Sequence, residues 1–95
     1  MHKQSVAERQ TLDLPSLGRT VVIRSLSPQE LLLVHAMAHQ EGELSPERLM
    51  LGTLKAGLVE PELSWREARR FKNRRPTEAA RIAAAISGLS EGRAS

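Results

Sequence analysis

Six cations fall within ten residues of this chain: Arg66, Arg69, Arg70, Lys72, Arg74 and Arg75, with Trp65 and Phe71 set beside and among them. Arginine next to an aromatic ring suits two chemistries. Guanidinium groups can neutralise phosphates while rings stack on bases, which is nucleic-acid binding. The same pairing anchors protein interfaces, where Trp and Arg are enriched among the residues that carry the binding energy. A third reading asks less: a short amphipathic helix turns its aromatic side into the core and leaves its charges in water. The solvated helix carries the most weight, a protein partner comes next, and nucleic acid last.

A second candidate is the pair His35 and His39. Four residues apart on a helix, both rings can face one way, as metal-binding pairs do. No glutamate stands between them in the metalloprotease arrangement and no third histidine follows, so structural histidines are expected and no metal site. Enzyme signatures are missing as well. The chain has no Gly-rich phosphate loop, no nucleophile elbow and no cysteine. Asp13 is the single aspartate, and Glu41 and Glu43 fall in a predicted loop with nothing to raise a carboxyl pKa. Neither catalytic residues nor a cofactor are expected.

The whole chain bounds what can support such a surface. Its 95 residues suit one small domain, which buries a modest fraction of its surface. Hydrophobic residues make up 40%, enough for one core, and with only Trp65 and Phe71 as aromatics that core must be aliphatic. Without cysteine there are no disulfides and no thiolate metal sites. No apolar run approaches the roughly 20 residues of a membrane span. Met1-His2-Lys3-Gln4-Ser5 lacks the apolar stretch of a signal peptide, so a soluble intracellular protein with no membrane contact is expected. Charge is uneven: residues 1–62 balance to −2, and residues 63–95 to +5. A basic end on a slightly acidic body suits an acidic partner or a solvated face.

The elements that must position these residues follow from local signals. Residues 1–9 read as a flexible N-terminal tail, 10–90 as the folded domain, and 91–95 as a flexible C-terminal tail. Thr11–Leu14 and Thr20–Arg24, separated by Pro15-Ser16-Leu17-Gly18, predict a β-hairpin that must lie on the helices after it. Ser27-Pro28-Gln29-Glu30 is a capping box with proline at the first helical position. The helix it starts runs to about His39, with Leu32, Leu33, Ala36 and Met37 spaced for a buried face. Ser45-Pro46-Glu47 starts a second helix carrying Leu51, Leu54 and Leu58, with Gly57 as its stop. Ser64-Trp65-Arg66-Glu67 caps a third, cut short by Pro76. A fourth begins near Pro76 with the stripe Ala79, Ile82, Ala83, Ile86 and ends at Gly88. Its alanines allow close helix approach, read as core ahead of interface. The fold class is mainly α: four short helices with an N-terminal β-hairpin.

Three segments in this order carry a resemblance: Val21-Val22-Ile23-Arg24-Ser25-Leu26-Ser27 with Glu30, then Gly57-Leu58-Val59-Glu60-Pro61-Glu62-Leu63-Ser64, then Pro76 followed by Ile82, Ala85-Ile86 and Leu89-Ser90. The pattern spans about residues 11–90 and resembles the small tail assembly chaperones of siphophages and contractile-tailed phages. Its basic third helix and scarce acidic residues depart from the family. The resemblance implies a protein that binds the tape-measure protein, keeps it soluble and helps recruit tail-tube subunits. It implies the host cytoplasm and absence from the mature virion, and in many such phages a frameshifted longer form. Self-association through the same apolar surface is compatible with it. No site transfers residue by residue. The partner-binding candidates stay Trp65, Arg66, Arg69, Arg70, Phe71, Lys72, Arg74 and Arg75. The alternative function is a small basic nucleic-acid-binding or regulatory protein.

Overall fold

The computed structural model describes residues 8–94. In chain order these form β1 (Arg9–Leu14), a 3-10 turn (Pro15–Leu17), β2 (Arg19–Arg24), α1 (Pro28–Ala38), β3 (His39–Gln40), β4 (Glu43–Leu44), α2 (Pro46–Gly57), β5 (Leu58–Glu60), α3 (Trp65–Arg74) and α4 (Pro76–Ala94). The fold is mainly α with an N-terminal β-hairpin, as the sequence predicts.

The hairpin forms because proline fixes the first turn residue and Gly18 takes the left-handed conformation that closes it, φ 66°. The Gly18 N–H donates to the Pro15 carbonyl at 3.0 Å. Pairing is in register from Arg9 opposite Arg24 to Leu14 opposite Arg19. Leu14, Val21 and Ile23 are buried. The flexible tail expected over residues 1–9 lies outside the described residues up to residue 7. Its last two residues are held: Glu8 exchanges hydrogen bonds with Ser25, and Arg9 opens β1.

Two pieces of sheet escaped the sequence. β5 pairs with β2, making a three-stranded order β1-β2-β5. β3 and β4 make a two-residue ladder around Glu41 and Gly42, both at positive φ, the geometry of a tight hairpin turn.

α2 lies at the centre, packed against α1, α3 and α4, while α4 also covers β2. The core between them is Leu54 from α2, Ile82 and Ile86 from α4, and Leu14, Ile23 and Leu26 from the hairpin and the link after it. Gly57 closes α2 without a left-handed turn, so it does not act as a conformational stop. Its role is space: a Cβ there would stand 2.6 Å from Ile86 Cγ2. The expected end at Gly88 is also corrected. α4 runs through it to Ala94, and the helix therefore includes most of the segment read as a C-terminal tail. Along the way Ser90, buried, accepts the Leu26 N–H at 2.8 Å and donates to the Ile86 carbonyl at 2.7 Å, joining α4 to the start of α1.

The buried face of α1 differs from the sequence reading. Val34 and Ala38 are buried and Leu31 is half-buried, whereas Leu32, Leu33, Ala36 and Met37 are exposed. α1 leans chiefly on α2, and one neighbour covers one side of a helix. Among the described residues nothing covers the remaining apolar side chains Leu32, Leu33 and Met37.

Candidate interaction surface

α1, α2 and the first residue of α3 enclose an apolar groove. α1 contributes Leu33, Val34 and Met37, α2 contributes Gly52 and Ala56, and Trp65 forms the far wall. Leu33 is 60% exposed and Met37 47%, values that place large apolar side chains in water rather than in a core. Gly52 is what lets the floor sit low: a Cβ there would meet Val34 Cγ1 at 3.2 Å. The groove holds about 260 Å³ and opens past Met37, Gly52 and Trp65 into a second depression of about 330 Å³ edged by Arg48, Leu51 and Arg69.

Trp65 reaches this place because Ser64 caps α3. The Ser64 Oγ accepts the Glu67 N–H at 3.2 Å, and the Glu67 carboxylate accepts the Ser64 N–H at 2.9 Å. That reciprocal box fixes where the helix starts, and Trp65 is its first residue. Lys55 Nζ lies 5.9 Å from the centre of the indole ring, a cation–π distance.

At the opposite end α1 is fixed by a tighter version of the same device. Glu30 accepts the Ser27 N–H at 2.8 Å and a two-pronged pair from Arg24, Nη1 at 3.1 Å and Nη2 at 2.7 Å. The Arg24 guanidinium holds the Glu30 carboxyl down, from 4.5 to about 2, against a smaller opposing effect of burial. Hydrogen bonds from Ser64 lower Glu67 likewise, and one from Ser16 to Glu78 at 2.6 Å lowers that carboxyl.

The cations divide into two groups. Arg48, Lys55 and Arg69 rim the groove. Arg66, Arg70, Arg74 and Arg75 are exposed along and just beyond α3, and Lys72 is turned toward Glu47, 3.6 Å away. Of the eight sequence candidates, the structure therefore brings Trp65 and Arg69 to the groove. Phe71 goes elsewhere: it is half-buried and packs on the core beside Leu63 and Ile82. The two aromatics do not form one stacking surface with the arginines. Leu33, Met37, Gly52, Arg48 and Lys55 were missed. For Leu33 and Met37 the signal was the run Leu31-Leu32-Leu33-Val34, more apolar surface than one side of a helix can bury, and no local pattern pointed to Arg48, Gly52 or Lys55.

The histidines are occupied locally. His35 Nδ1 lies 2.8 Å from the Leu31 carbonyl and His39 Nδ1 2.9 Å from that of His35, so each Nδ1 donates along the helix. No cluster of three potential metal ligands occurs among the described residues, and no described helix is long and apolar enough to cross a membrane. Comparison with protein-family models, with curated proteins and with solved structures finds no match.

Proposed function

We propose that this chain is a non-enzymatic assembly chaperone of a phage tail, which binds the tape-measure protein in the host cytoplasm, keeps it soluble and helps recruit tail-tube subunits. The observation that carries the reading is the apolar groove over α1, α2 and Trp65, which the described residues leave open. A chaperone for long helical segments needs a place for an amphipathic helix, and a helix lying in an apolar groove is a common recognition mode. The ordered resemblance to tail assembly chaperones supplies the partner's identity, and the groove supplies a means.

The exposed arginines favour one other reading, a small nucleic-acid-binding protein. Counterion release would then make affinity fall steeply with salt, by about 0.9 log units per log unit of salt for each phosphate contact on duplex. Against it, Phe71 is taken up by the core and only Trp65 is left to stack. The experiment is retention of the co-expressed tape-measure protein by a tagged chain, run beside duplex titration at physiological salt. Retention with no duplex binding is expected. Micromolar duplex binding lost on neutralising Arg70 and Arg74, with nothing retained, would reverse the ranking.

A further inference from the structure

We propose that the groove takes an amphipathic helix of a partner protein whose apolar stripe is flanked by carboxylates. This rests on the chaperone reading and narrows it to a site and a partner chemistry.

The groove's floor and walls are apolar, while its rim carries Arg48, Lys55 and Arg69. Among the described residues the only ion pairs are Arg24 with Glu30 and Lys72 with Glu47, so no described carboxylate pairs with Arg48, Lys55 or Arg69. Glu30, which lines the groove, is already engaged by Arg24 and the Ser27 N–H, and Glu47, which shares a depression with Arg48 and Arg69, is paired with Lys72. An occupant must therefore cover Leu33, Met37 and Trp65 with apolar side chains and meet the cations with acids. A second copy placed groove to groove would bring the same cations toward each other, at a cost that a carboxylate-flanked helix avoids. A nucleic acid could meet the cations but has no apolar stripe to lay over Leu33 and Met37.

Length agrees with this occupant. The eleven residues of α1 run about 16 Å at 1.5 Å per residue, room for roughly three turns of a docked helix. Its anchors would recur at three- and four-residue spacing, one to each depression and one across the waist at Gly52. Lys55, held over the indole, sits where a carboxylate on the occupant's flank passes.

Trp65 is the chain's single tryptophan, so its emission reports on the groove without a label. Two Trp-free helical peptides of about 14 residues are titrated against the whole protein, sharing one leucine stripe, one flanked by Glu and the other by Lys. The Glu-flanked peptide is expected to shift Trp65 emission to the blue and to bind at least tenfold tighter than its Lys-flanked twin, a gap that narrows with salt. Arg48→Glu with Arg69→Glu should invert that preference. Met37→Asp should abolish both titrations while circular dichroism stays unchanged. Equal affinities, or no response to either peptide, overturn the proposal. So does a blue shift that grows with protein concentration alone and accompanies a sedimenting dimer, or one driven more strongly by duplex DNA. If the peptide preference fails yet the tape-measure protein is still retained by Met37→Asp, the groove assignment falls and the chaperone reading stands. If the preference holds and no tape-measure protein is retained, the reverse is true.

Discussion

Arg24, Ser27 and Glu30 form a polar cluster at the start of α1 whose strength depends on pH. Glu30 has its pKa lowered in the folded chain, so it stabilises the fold at any pH above its unfolded value. That contribution is lost as pH falls from about 4.5 to about 2. Because the side chain is 38% exposed, solvent screening reduces the worth of the shift to roughly 1–2 kcal/mol. Glu30→Gln should lose about that much at neutral pH, and its stability should decline less below pH 4.5 than the parent's, as read by urea titration across pH. Equal acid sensitivity in both proteins would place the acid-labile group elsewhere. Gly57 lies directly against Ile86. A methyl there would press on Ile86, so Gly57→Ala should cost about 1–3 kcal/mol despite alanine's better helix propensity. In an Ile86→Ala background the same change should cost little or become favourable, and a double-mutant cycle reads the difference.

The elements were legible to different depths, for physical reasons. The starts at Ser27, Ser45 and Ser64 are set by local hydrogen bonds, and all three cap as the sequence implies. Pro76 separates α3 from α4 as expected. The stripe on α4 is correct in Ala79, Ile82 and Ile86, which are buried, while Ala83 is half-buried. α1 is different. Leucines occupy three successive positions from Leu31 to Leu33, so periodicity alone cannot select a face, and packing against α2 made the choice. β5 is three residues long and exists through pairing with β2, which no local pattern encodes. Of the candidate site, the arginine-rich helix was readable as a surface, but the groove beside it depends on which side of α1 stays open. Leu33→Asp and Met37→Asp should each change stability by less than about 1 kcal/mol, as expected for exposed positions. Leu54→Ala, in the core, should cost about 2–5 kcal/mol. Thermal or urea unfolding of the three variants separates the two classes. A large loss at Met37 would mean α1 buries the face first expected.

At the scale of the whole molecule, the fold divides its labour. The hairpin, α2 and α4 build the core, while α1 and the start of α3 lean on α2 and leave apolar surface between them. A small domain gains little stability from each element, so leaving Leu33 and Met37 exposed forgoes burial that it could use. Exposed apolar side chains gathered along a groove are what a binding surface for apolar helices requires. The basic stretch beyond it, Arg66 to Arg75, carries charge that can speed encounter with an acidic partner without supplying most of the affinity. We propose that the groove keeps a tape-measure protein in solution. The measurement that tests it most directly is the soluble fraction of tape-measure protein made alone, with the parent chain, or with a Leu33→Asp/Met37→Asp double variant. Soluble protein is expected with the parent, aggregation with the folded double variant, and solubility again with an Arg70→Gln/Arg74→Gln control. Full solubility with the groove variant and aggregation with the arginine control would contradict it.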